Sequence, residues 1–464
     1  MVKTFSPEDW GLQAARSGEL MISNYSLLEL ARTHGTPLHV VHAARLQETA
    51  REFQEKARAA YSGKVSVHYA MKCNSVPGVV ELIHSAGLNV EVTTGYELQL
   101  AQHIGFTPEQ LIVNGPGKSI GFLRSCLQAN VRLIVVDSLE ELDMLESVAT
   151  SEGKTTGILF RINPGYVPKG MNKGTATASR KGSAFGFDLK GGEVSEAFSL
   201  LPSRPRLRFY GFHMHIGTGI RTPEAYRGAL ECLPLLRDLS RSAGFGTQIL
   251  DLGGGIGSRT TRGMTTWEMA LYEAAGILPR QKARHNMTAL ESFFKGISES
   301  VCETFRNEAL PELIFEPGRS ITSQNQFLLL TVQGVKQRPG IGTWVTTDGG
   351  LSTVCMPTYY ECHELLLCND VYRPVAGKVT LNGPACFAGD IIYKNMPMPL
   401  LQSGEILALM DSGAYFTALE SSFGFPRPAI ISVDGRSVQL IRARESFEDM
   451  ISRDHFNDVL TEGL

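Results

Sequence analysis

KVSVHYAMKCNS, residues 64–75, is a short apolar run that ends on a lysine. A strand this apolar is buried on both faces, as in a parallel sheet covered by helices. A lysine at the end of such a strand is costly unless it is paired or chemically used. Desolvation is expected to lower the pKa of Lys72 and to make it a nucleophile able to form a Schiff base. Alone, a lysine so placed is more often a strand-end group reaching solvent, so its neighbours must decide the matter.

Working outward, the same texture repeats. PLHVVHA (37–43), LNVEV (88–92), QLIVNG (110–115), VRLIVVDS (131–138), TGILFRINP (156–164), LRFYGFHMHIG (207–217), TQILDLGGG (247–255) and PELIFEPGRS (311–320) are all short and rich in Val, Ile and Leu. Amphipathic stretches such as ARLQETAREFQEKARAAY (44–61) and SLEELDMLESVAT (138–150) lie between them. Each buried parallel strand needs a crossover helix. Polar signature residues follow nearly every strand, which suits a barrel, whose strand ends all surround one mouth, better than an open sheet with a single switch point. The expected fold is α/β, a (β/α)8 TIM-like barrel over residues 38–317. Beyond Arg319 the segments FLLLTVQGVKQ, KVTLNGPA, EILALMDSG and AIISVDGRSVQLIRARE are β-branched and broken by Gly or Pro. They predict a C-terminal all-β domain over 318–464, with residues 1–37 packed on it.

The bulk numbers exclude other classes. A chain of 464 residues with net charge -3 offers no electrostatic case for nucleic acid or an anionic membrane. No apolar stretch is long enough to span a bilayer, and MVKTFSPEDWGLQAARSGEL lacks a signal-peptide core. Eight cysteines without a CxxC pair read as reduced thiols, so a cytoplasmic enzyme without a structural metal is expected. Two stretches, VPKGMNKGTATASRKGS (167–183) and GSRTTRGMTTWE (257–268), read as mobile loops.

Further residues carry chemistry. HMHIGTG sets His213 and His215 two apart on a strand, hence on one face. A metal pair lacks an obvious third ligand, whereas an imidazole stacked on a planar cofactor ring needs only one of them. LDLGGGIG puts Gly253, Gly254 and Gly255 directly after a strand, where backbone N–H groups can approach a phosphate. EPGRS ends another strand with Glu316 and Arg319. GPACFAGD (383–390) and DSGAYFTAL (411–419) place Cys386, Asp390 and Tyr415 in glycine-flanked turns.

In this order HYAMKCNS, TTGYELQLA, VDSLEEL, FGFDL, HMHIGTG, LDLGGGIG, FEPGRS, GPACFAGD, GAY and FPRPA resemble the diaminopimelate and ornithine decarboxylase family of alanine-racemase-like (fold type III) pyridoxal-phosphate enzymes, the diaminopimelate branch most closely. The resemblance implies pyridoxal 5'-phosphate as cofactor, a small amino-acid substrate, and a homodimer whose active sites are shared across the interface. It implies that Lys72 holds the cofactor, that His215 stacks on its ring, and that Thr218, Gly253, Gly254, Gly255 and Tyr415 hold its phosphate. Arg319 would lie near that phosphate or the far end of the substrate. Glu316 would face the pyridine nitrogen, and a carboxylate there favours decarboxylation over the racemisation that an arginine supports. Cys386, from the neighbouring subunit, would reprotonate Cα.

Two departures bear on the substrate. Diaminopimelate decarboxylases follow the cysteine with Glu-Ser and ornithine decarboxylases with Asp, to meet a distal amine; here that position is Phe387. The diaminopimelate branch also carries Arg-Pro-x-x-Tyr for a distal carboxylate; here Met356 begins the segment and Tyr360 ends it. Met356, Tyr360, Phe387, Arg319 and Asp390 are the expected substrate pocket, with Arg319, Lys118 or a loop lysine as candidate compensating charges. The competing readings are an amino-acid racemase on the same scaffold and a non-catalytic pyridoxal-phosphate-binding protein.

Overall fold

The computed structural model describes residues 5–168, 178–279 and 288–455. Eight strands form the barrel: β1 (Val65–Ala70), β2 (Asn89–Val92), β3 (Leu111–Val113), β4 (Leu133–Val136), β5 (Thr156–Asn163), β6 (Leu207–His213), β7 (Ile249–Asp251) and β8 (Glu312–Phe315). Each pairs in parallel with the next, and β8 pairs with β1 to close the ring. All six residues of β1 are buried, as a strand lined by the barrel interior on one face and by helices on the other must be. Inside the barrel Ile112, Leu133, Val135, Leu159, Ile249 and Ile314 fill the lumen, so the barrel is a packed core rather than a pore.

The helix Ala43–Ala60 shows how the outer layer is held. Its buried residues Leu46, Ala50, Phe53 and Ala57 recur at three- and four-residue steps and form one stripe. Phe53 meets the edges of Phe294 and Phe315 at ring-centroid distances of 5.1 and 6.4 Å. Truncating Phe53 to Ala is expected to cost about 3–5 kcal/mol, the transfer term plus the cavity.

PLHVVHA, taken as a barrel strand, is not one. Leu38–His42 pairs antiparallel with the long strand Gln326–Arg338 and parallel with Ala429–Val433, in the sheet of the second domain. Strand pairing of the barrel therefore begins at Val65 and not near residue 38. A fully buried strand has the same apolar composition in either sheet, so composition alone could not assign it. The N-terminal segment adds Trp10, Leu12, Leu20 and Ile22 to the core that contains Leu38, Phe327 and Ala429.

The stretch 257–268 is built rather than loose. Ser258 and Thr260 donate to Asp411 at 3.2 and 2.6 Å, Arg262–Gly263 pairs with Glu361–Cys362, and Thr265 with Glu268 caps the helix Thr266–Ala275. Most of the other expected loop, residues 169–177, lies outside the described residues. Among the described residues no helix is long and apolar enough to cross a membrane.

Candidate active site

The C-terminal ends of the strands carry the polar residues, as the geometry of a barrel requires for a site at one mouth. Lys72 sits in the 3-10 turn Met71–Cys73 that follows β1, and its Nζ donates to Glu91 Oε2 on β2 at 2.5 Å. Burial pulls the Lys72 ammonium down, but the charges of Glu91 and Glu316 outweigh it and hold its pKa above the usual lysine value. This corrects the expectation of a lowered lysine: the barrel mouth holds more anions than composition suggested. Glu91, fully buried, is pushed up to about 7 by its own desolvation, against the pull of Lys72. On the far side of the mouth Arg161 of β5 donates to Asp137 at 3.3 Å and lies 4.3 Å from the centre of the Phe185 ring.

Glu316, directly after β8, is 2% exposed. The Asn114 amide donates to its two oxygens at 3.2 and 3.4 Å and to His213 Nε2 at 2.9 Å. His213, Asp251 and Glu316 each bring an atom within 4.8 Å of the others, so the histidine does have the close carboxylates that the sequence left unseen. A donor amide reaching into this group suits a hydrogen-bond network and not a cation.

His215, just past β6, accepts the Gly254 N–H on Nδ1 at 3.3 Å, and burial lowers its pKa to about 3, so the ring is neutral. The loops around it touch backbone to backbone. A Cβ on Gly254 would stand 2.2 Å from the Glu316 carbonyl oxygen, and one on Gly255, whose φ is +109, would stand 2.2 Å from that of Gly217. Glycine is therefore required for both approaches. Thr218 lies half-buried between Gly217 and Gly219 in the facing loop.

Arg319 is 8% exposed, and its Nη1 and Nη2 both donate to Glu361, at 2.8 and 2.6 Å. Its guanidinium carbon lies 5.2 Å from the centre of the Tyr415 ring. Tyr415 is held by its own N–H on the Cys73 carbonyl at 2.8 Å, and burial pushes its phenol up to about 12. Met356 is buried in the core of the second domain, against which Tyr415 packs. Tyr360, at φ +61, meets the edge of Tyr272 at 6.5 Å.

Cys386 and Phe387 are exposed on the loop between strands Val375–Asn382 and Ile391–Pro399. Among the described residues no hydrogen bond or ring contact ties them to the barrel mouth of the same chain; Phe387 meets Phe423 at 6.2 Å. The expectation that Asp390 lines a pocket is corrected. It is 3% exposed, and its oxygens accept Leu351 N–H at 2.6 Å and Ala385 N–H at 2.8 Å, which fixes the base of that loop.

The model of the pyridoxal-dependent decarboxylases, pyridoxal binding domain, matches residues 44–323. The chain belongs to this family of decarboxylases. It is 30% identical over 437 residues to the diaminopimelate decarboxylase of Aquifex aeolicus, covering 94% of this chain and 96% of that one. To the diaminopimelate decarboxylase of Bacillus subtilis it is 29% identical over 440 residues, covering 94% and 95%. The solved diaminopimelate decarboxylase of M. jannaschii in complex with L-lysine has the same fold, with a TM-score of 0.82 at 24% identity over 97% of this chain and 98% of that one.

The decarboxylase is thus an enzyme that uses pyridoxal phosphate, and its residues fit that group. Two glycine loops present backbone where any side chain would clash, a buried carboxylate accepts the Asn114 amide at 3.2 and 3.4 Å, and a lysine with 38% of its side chain exposed stands beside them. Sequence reasoning missed Glu91, Asn114, Asp251 and Glu361 in this decarboxylase. A signal existed for two of them: an acid inside the apolar run LNVEV, and one directly before the glycines of LDLGGG. Asn114 and Glu361 carry no such mark.

Proposed function

We propose that this decarboxylase removes the α-carboxyl group of an amino-acid substrate whose distal end lacks the charged pair that diaminopimelate presents. When bound, the cofactor supplies an electron-accepting ring conjugated to the substrate's Cα. Lys72 would hold the cofactor covalently and yield it to the amine of the substrate. Gly253, Gly254, Gly255, Thr218 and Tyr415 would bind the phosphate, and the neutral face of His215 would cover the ring. Glu316, buried and accepting from Asn114, would hold a proton at the pyridine nitrogen. That assignment favours loss of carboxylate over racemisation, since a protonated ring accepts electrons better. Cys386 would deliver the proton to Cα in the site of a second subunit, in keeping with its exposed loop.

The altered distal pocket rests on one observation above the others. Two of the cations that stand as candidates to replace the missing arginine are already paired, while the loop lysines Lys169 and Lys173 lie outside the described residues. Arg319 is engaged on both nitrogens by Glu361, and Lys118 by Glu141 and two carbonyls at 2.6–2.7 Å. By the resemblance, Met356 and Phe387 would stand where a distal carboxylate and a distal ammonium each need a charged partner, and neither side chain supplies one.

The test is CO2 release by the cofactor-loaded enzyme from L- and D-amino acids, including diaminopimelate, lysine, ornithine, arginine and analogues with neutral side chains. A neutral side chain turned over at least tenfold faster than diaminopimelate is expected. Comparable turnover of the two refutes the altered pocket, and loss of optical activity without CO2 moves the assignment to a racemase.

A further inference from the structure

Two carboxylates, Asp251 at the end of β7 and Glu316 just past β8, face each other in the barrel mouth at 0% and 2% exposure, with an oxygen of each within 4.8 Å of the other. The charged side chains around them have other partners, and His213 Nε2 lies 3.5 Å from Glu316 Oε2. From β1 Lys72 donates to Glu91 on β2, and from β5 Arg161 donates to Asp137. On β6 the state of His213 follows from Asn114. The amide oxygen of Asn114 accepts Gly115 N–H at 2.8 Å, so its NH2 group must face His213 and Glu316. His213 Nε2 is therefore an acceptor, the ring is neutral, and it cannot give Glu316 a proton from that nitrogen. His215, past the same strand, accepts Gly254 N–H and is neutral too.

Two buried like charges this close do not both ionise, so one proton belongs to the pair. Its place is marked. Asp251 Oδ1 accepts Gly253 N–H at 2.9 Å, while Asp251 Oδ2 is buried with no hydrogen-bond partner. Glu316 has the Asn114 amide on both of its oxygens.

We propose that Asp251 is a neutral carboxylic acid that donates its proton to Glu316, and is thereby the positioning residue that ties the charged Glu316 to the glycine loop. Burial and the neighbouring Glu316 push Asp251 well above the carboxylate range, with Glu91 adding to the effect. One residue then links the two ends of the cofactor site: Oδ1 orders the first glycine of the phosphate loop, and Oδ2–H holds the carboxylate assigned to the pyridine nitrogen. The link rests on the reading of Glu316 given above; the protonation of Asp251 does not.

Asparagine is the test, because it mimics a protonated aspartate: its oxygen can accept Gly253 N–H and its NH2 can donate to Glu316. In the holoenzyme, Asp251→Asn is expected to weaken cofactor affinity by no more than ~3-fold, and Asp251→Leu, which leaves both partners unsatisfied, by ~30-fold or more. The visible absorption of bound cofactor should vary with pH no more in Asp251→Asn than in wild type, and more steeply in Asp251→Leu. Infrared difference spectra of wild type minus Asp251→Asn near neutral pH should show the C=O stretch of a protonated carboxyl group. Absence of that band, or equal damage by Asn and Leu, overturns the proposal even if Asp251→Leu folds poorly. If the band is present but Glu316→Gln keeps the wild-type cofactor spectrum, the proton assignment stands and the reading of Glu316 fails.

Discussion

Glu361 is the residue whose substitution tests most about the distal pocket. Glu361→Gln keeps the shape of the side chain and one acceptor for Arg319, but removes the negative charge. Both partners are nearly buried, with side-chain exposures of 7% for Arg319 and 11% for Glu361, so solvent screens the pair little. Removing one partner of a buried pair costs about 3–5 kcal/mol when the other is left bare. The glutamine oxygen retains one neutral hydrogen bond, so the expected loss is roughly half of that, about 2 kcal/mol. Thermal unfolding of the holoenzyme should fall by a few degrees. The freed guanidinium can then meet an anion, and a charge-assisted hydrogen bond of about 1.5–3 kcal/mol corresponds to a gain of roughly tenfold or more in kcat/KM for a substrate with a distal carboxylate. The assay compares kcat/KM for diaminopimelate and for the best neutral substrate in wild type and variant. A lower unfolding temperature with an unchanged ratio of the two refutes the argument, because it would mean that Arg319 does not face the distal group.

Other substitutions test other links. Lys72→Ala should abolish covalent attachment, read as failure of borohydride to fix the cofactor on the protein. Gly254→Ala, whose Cβ would meet the Glu316 carbonyl at 2.2 Å, should reduce cofactor affinity at least ~10-fold in fluorescence titrations while far-UV circular dichroism is unchanged. Asp390→Ala leaves two half-buried N–H groups without their acceptor and should destabilise the loop that bears Cys386 by about 1–2 kcal/mol, read as faster hydrogen exchange at Leu351 and Ala385. His68 is buried neutral, and desolvation lowers its pKa to about 4 from the usual 6.5. A depressed pKa means that the unfolded chain binds the proton first, so stability is full above about 6.5 and is lost as pH falls toward 4. A pH series of unfolding temperatures should show that decline in wild type and a shallower one in His68→Gln.

How much was legible in the sequence can be judged residue by residue. The apolar runs and the helices between them were enough for a barrel, because burial on both faces is a property of a strand's own composition. Lys72, Glu316, Arg319, His215 and the three glycines stood out at strand ends, and their roles came from the order of motifs that resembles the family. The pairing of Leu38–His42 with the second sheet could not be read, since an apolar strand does not say which partners cover it. Nor could the charge balance of the mouth. The raised Lys72, the engagement of Arg319 by Glu361 and the proton assigned to Asp251 all depend on side chains from strands far apart in the chain. Local sequence determined which groups stand at the mouth; only the closed ring of strands decided which of them meet, and electrostatics at 3–5 Å is set by that meeting.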